Sequence, residues 1–132
     1  MALSDNLPPL LADRPRNLQI LFAVVAPAVF GIVAGLLLGS SKGAYIVVSL
    51  IAAIGGVGAG FDHSGWIAGA KRGLLGGTLY GAFILIAHEI SGSAARVDLP
   101  DPAIVLVVVT AMLGALFGAL GGFGRQRVAG PS

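Results

Sequence analysis

Residues 65–81 read Gly65-Trp-Ile-Ala-Gly69-Ala-Lys-Arg-Gly73-Leu-Leu-Gly-Gly77-Thr-Leu-Tyr-Gly81, with glycine at every fourth position. In a soluble helix each of these glycines would cost about 1 kcal/mol relative to alanine. A bilayer changes that balance. Lipid tails give apolar helices no hydrophobic reason to associate, so association rests on close backbone approach, and small residues at spacing four permit it. The register recurs elsewhere, as Ala23, Pro27, Gly31, Gly35 and Gly39, as Ala52, Gly56 and Gly60, and as Gly114, Gly118 and Gly122 beside Ala111, Ala115 and Ala119. Glycine-zipper packing is therefore expected. Gly31, Gly35, Gly39, Gly56, Gly60, Gly69, Gly73, Gly77, Gly81, Gly114, Gly118 and Gly122 are its helix-packing or oligomer-interface positions.

The composition requires a membrane. Of 132 residues, 56% are hydrophobic and 11% charged, and 21 are glycine, against about 25% charged and about 7% glycine in an ordinary soluble domain. So few charges do not cover the surface of a small globule. Disordered chains, in turn, are poor in apolar residues. The absence of cysteine removes disulfides, thiolate metal sites and cysteine nucleophiles.

A hydrocarbon core about 30 Å thick takes about 20 apolar residues of helix. Four stretches meet that length, at about 18–39, 44–61, 67–90 and 103–123. The fold class is thus all-α, a polytopic membrane protein of four transmembrane helices. Short turns at Ser40–Gly43 and Asp62–Gly65 make neighbouring spans antiparallel, so the helices are expected as two antiparallel hairpins. Pro100 and Pro102 interrupt helix in the longer third connection. One domain results. A mobile N-terminal tail is expected over 1–17, where Pro8, Pro9 and Pro15 disfavour helix, then the helical domain over 18–124 and a C-terminal tail over 125–132. The first apolar run is longer than a signal-peptide core and has no small-x-small cleavage site after it, so it reads as a span.

Lys and Arg near span ends set the orientation. One face holds both termini and Arg14, Arg16, Lys71, Arg72, Arg125 and Arg127, whereas the other holds Lys42 and Arg96. Both termini are therefore expected in the cytoplasm, and the plasma (inner) membrane of a prokaryote is the expected location. Trp66, Lys71 and Arg72 read as interfacial anchors. Lys71, Arg72, Arg125 and Arg127 also form a basic cluster for anionic lipid headgroups, at about 1 kcal/mol per residue. The cluster is too small for nucleic acid.

Four residues turn about 400°, so the stripe in the third span drifts about 40° per step. On a straight helix five steps do not all face one neighbour, and this span is expected to meet at least two, at the centre of the bundle. The stripes either pack the bundle internally or bind another subunit, and association is favoured over a monomer. The Pro27–Gly31 and Gly77–Gly81 segments align as a weak internal repeat, which leaves duplication and chance similarity both open.

Ionisable groups within spans are functional candidates by default, and few are present. His88 and Glu89, at the end of the third span, read either as an ordinary interfacial helix end or as a titrating group at a pore mouth. Asp62, His63 and Ser64 have the composition of a catalytic triad, but triad members converge from separate segments. Asp62 instead reads with Ser64 and Gly65 as helix-stop and helix-start chemistry. No catalytic residue, metal site or cofactor is expected, and the chain is not read as an enzyme.

Known four-span families demand residues that are missing. Small multidrug transporters need a glutamate in the first span, rotary-ATPase proteolipids a mid-membrane carboxylate, and fluoride channels an asparagine track, yet Asn6 and Asn17 lie outside the core. The expected function is a structural or accessory subunit that associates through Gly/Ala helix faces in a membrane assembly. The alternative is a homo-oligomeric channel or transporter for ions or a small solute. Expected partners are membrane lipid and either the chain itself or other membrane subunits.

Overall fold

A computed structural model describes residues 7–129. All regular structure there is helical, and four helices are long and apolar enough to cross a membrane. We label them α1 (Arg16–Leu38), α2 (Lys42–Phe61), α3 (Trp66–Ser91) and α4 (Val105–Ala129). Ser41 starts α2 by accepting a hydrogen bond from the Ala44 N–H at 3.2 Å, as an N-cap serine does. Gly92 ends α3 in the left-handed conformation, φ +68°, which a Cβ would strain.

Packing is most extensive between α3 and α4, then between α1 and α3, then between α2 and α4, and α1 meets α2 sparingly. A Cβ at Gly69 would overlap the Gly118 carbonyl, one at Gly73 that of Gly114, and one at Gly77 that of Thr110. Further along α3 a Cβ at Gly81 would overlap the Thr110 hydroxyl, and from α4 one at Gly122 would overlap the Gly65 carbonyl. The partner's number falls as that on α3 rises, so the two helices are antiparallel along their whole contact.

All five positions of the stripe thus face α4, not two neighbours as a straight helix would require. A period of four stays on one partner when the two helices wind about each other, in the right-handed sense that a repeat above 3.6 residues demands. The centre of the bundle is still α3, because its opposite face receives α1. A Cβ at Gly31 would lie 2.6 Å from the Tyr80 carbonyl oxygen and 2.8 Å from the Phe83 Cβ, and one at Gly35 would lie 2.8 Å from the Ala87 Cβ. On α2, a Cβ at Gly60 would overlap Gly118, whereas one at Gly56 would only touch the Phe117 Cβ at 3.5 Å.

Both chain ends differ from expectation. Instead of a free tail to residue 17, Leu11 is buried in a 3-10 turn, Leu11–Asp13, and its N–H donates to the Asp62 carbonyl at 2.9 Å. A buried leucine and a backbone bond hold this segment against the α2–α3 turn, and α1 already begins at Arg16. At the other end α4 continues past 123 to Ala129, since nothing before that point breaks helix and Arg125 is tied to α2. The remainder of both expected tails, 1–6 and 130–132, lies outside the described residues.

The third connection folds over one end of the bundle. The Arg96 N–H donates to the Leu38 carbonyl at 2.8 Å, while Val97 and Leu99 pack on a core of Ala34, Leu38 and Ile84.

Glycines at backbone contacts should behave unlike open ones. Gly73→Leu should destabilise the fold in detergent by more than about 2 kcal/mol, because the helices must separate. Gly58 has open space around it, so Gly58→Leu should be neutral or slightly stabilising through helix propensity. Thermal unfolding of the two variants checks the contrast.

Candidate functional site: a cavity between the spans

The small residues that allow close packing also leave a space unfilled. A cavity of about 770 Å³ lies among all four helices, within the range of small-molecule sites, about 300–1,000 Å³. Its walls include Ala26, Ala52, Ala53, Gly56, Ala59 and Gly76, none with a side chain long enough to reach across. The α3–α4 pair forms the floor, with α1 on one flank and α2 on the other.

Both ends are covered. The Ala34–Leu38–Ile84 core, with Tyr45 and Tyr80 packed on it, covers one. Near it the Ser49 and Tyr80 hydroxyls share a hydrogen bond of 2.8 Å, and the Thr110 hydroxyl donates to the Val107 carbonyl at 3.1 Å. At the other end Arg14 pairs with Asp62 at 3.3 Å. Arg14 also donates to the Pro9 carbonyl, and its guanidinium lies over the Phe22 ring, 5.3 Å from the centroid. Among the lining residues Phe30, Ile46, Leu50, Val109 and Leu113 are also exposed. All are apolar, so the opening lies on the flank of the bundle, at the depth of hydrocarbon.

Arg72 projects into this space about 9 Å along α3 from Trp66, at 1.5 Å per residue. Its reach depends on two other residues. The first is Gly76, one turn further on, where a Cβ would lie 2.9 Å from the Arg72 Nη1. The second is Pro27. Around Leu21–Val25 α1 adopts a π-type turn in which the Ala26 N–H reaches the Leu21 carbonyl. The next donor in that register would be Pro27, which has no N–H, so the Phe22 carbonyl is left for the Arg72 Nη2, which donates to it. The Arg72 Nε is buried with no partner among the described residues.

Arg72 therefore points inward and is not placed as a headgroup anchor, whereas Lys71 and Trp66 are exposed. The rest of the basic cluster is also divided. Arg125 is buried, 9% exposed. It donates to the Phe61 carbonyl at 3.0 Å and stacks on the Phe61 ring, so it satisfies a carbonyl that the end of α2 leaves open. Arg127 is exposed. The Asp62 carboxylate does not cap α3, whose N-terminal residue Gly65 offers no side-chain bond. His63 turns back to the Ala59 carbonyl, with Nδ1 at 3.1 Å, so Asp62 and His63 diverge. His88 and Glu89 lie in the last turn of α3, away from the cavity. Glu89 is exposed, and the His88 Nδ1 is buried with no partner among the described residues. Among those residues no three His, Asp or Glu side chains gather as a metal site.

Arg125→Met should lower stability by about 1–3 kcal/mol, because the Phe61 carbonyl loses a charged donor at a buried position. Arg127→Met should change it by less than about 0.5 kcal/mol. Denaturation of both in the same detergent compares them. Comparison with protein-family models, with curated proteins and with solved structures finds no match.

Proposed function

We propose that this protein binds or carries a small membrane-soluble molecule in the cavity between its spans, without catalysing a reaction. The observation that carries this reading is the cavity itself, closed at its ends, apolar along its walls and open on the flank. A bare inorganic ion would leave the apolar walls unfilled, so the alternative of a transporter is narrowed to a small apolar or amphiphilic solute. The arrangement proposed around it is two antiparallel hairpins held by glycine-zipper packing, with both termini cytoplasmic in a prokaryotic plasma (inner) membrane. The support for that orientation is the excess of Lys and Arg on the face of the termini.

A second reading, the accessory subunit, draws on α2. A Cβ at Gly58 would meet nothing within 4 Å, while Ile54, one turn before it, is 73% exposed. This helix face is open to a partner span, which would be another subunit or a second copy.

Native mass spectrometry of the gently solubilised protein separates these readings. The binding reading expects the mass of the chain plus a small-molecule adduct, lost when Ala53→Trp fills the cavity. Stoichiometric foreign subunits without an adduct would overturn it in favour of the accessory role. For orientation, a cytoplasm-dependent reporter should be active on either terminus and inactive when inserted in the third connection.

A further inference from the structure

We infer that the cavity takes an acidic amphiphile, with an anionic phosphate or carboxylate head against Arg72 and a single hydrocarbon chain along the cavity; this rests on the binding function proposed above. The charges at the pole support it. The charged side chains lining the cavity are Arg14, Arg72 and Asp62. Asp62 is already paired with Arg14, so the pole holds two cations and one carboxylate. Arg72 is bonded to a neutral carbonyl, which satisfies one N–H but offsets no charge, and its Nε has no partner among the described residues. A cation at this depth is costly unless an anion accompanies it. Guanidinium and an oxyanion make charge-assisted hydrogen bonds that a neutral head forgoes.

The remaining lining selects the other half of the ligand. Phe30, Leu50, Leu113 and Phe117 surround the space beyond the pole, and an inorganic anion would leave them unfilled. Along α4 the lining runs from Leu106 to Phe117, about 16 Å at 1.5 Å per residue. That is close to half of a hydrocarbon core about 30 Å thick, the length of one chain in one leaflet. The flank opening allows such a chain to enter from the bilayer without crossing water.

The test uses the full chain in neutral phosphatidylcholine nanodiscs, with hexadecyl phosphate, hexadecanoate and hexadecanol as probes of equal chain length. Hexadecyl phosphate should bind about tenfold or more tightly than hexadecanol, and hexadecanoate shows whether a carboxylate serves as well as a phosphate. Arg72→Gln should abolish the preference while hexadecanol still binds, which reports an intact cavity. Arg72→Lys should keep part of it. Equal binding of the phosphate and the alcohol by the unmodified protein overturns the acidic-head inference and leaves cavity binding standing. So does a preference that survives Arg72→Gln. If none of the three probes binds, the binding function itself fails.

Discussion

The contact of glycine Cα atoms with carbonyl groups across the α3–α4 seam is the constraint on which the other features depend. At Gly69, Gly73 and Gly77 the opposing backbone occupies the place of a Cβ, so no side chain fits between the helices. This proximity converts the conformational cost of glycine into van der Waals contact over the length of a span, the kind of stabilisation available where water is absent. It also leaves the opposite face of α3 free to receive α1 through Gly31 and Gly35, and lets α2 rest on α4 at Gly60.

A bundle assembled from small residues is left with space between its outer helices. Since α1 and α2 each lie on a different member of the central pair, they flank a gap whose walls combine Ala and Gly with larger apolar side chains. Polar groups then appear where the backbone would otherwise be unsatisfied. Arg96 meets the end of α1, Arg125 the end of α2, and Arg72 the carbonyl that Pro27 leaves without a donor. Only the last of these opens onto the cavity. A backbone defect in α1 and a missing side chain at Gly76 together place a cation well inside α3, which links the packing of the helices to the chemistry of the site.

Much of this was legible in the residues. Apolar length locates the four helices to within a few residues, except at the end of α4, because hydrophobicity reports burial in lipid and not the extent of helix beyond it. Spacing pointed to Gly69, Gly73 and Gly77, where the backbones meet, but it passed over Gly121, where a Cβ would overlap the Val57 carbonyl, and included Gly56, where one would only touch Phe117. Straight-helix geometry also divided the stripe of α3 between two neighbours, since winding is a property of the pair. Arg72 looked like an anchor because a cation near a span end usually reaches outward. The signals that reverse this, Gly76 one turn away and Pro27 in another helix, acquire meaning only once α1 and α3 are adjacent. Likewise Leu11 and Arg14 carry no local sign of docking, because their partner, Asp62, is distant in sequence.

The most direct test of this account is the proximity of backbone across the central seam in a bilayer. Magic-angle-spinning NMR of protein labelled with carbon-13 at glycine should give cross-peaks between Gly69 and Gly118, between Gly73 and Gly114, and between Gly65 and Gly122. Their relative intensities should persist when labelled chains are diluted with unlabelled ones, because the contacts lie within one chain. Loss of the peaks on dilution, or peaks between glycines in another register, would contradict the account.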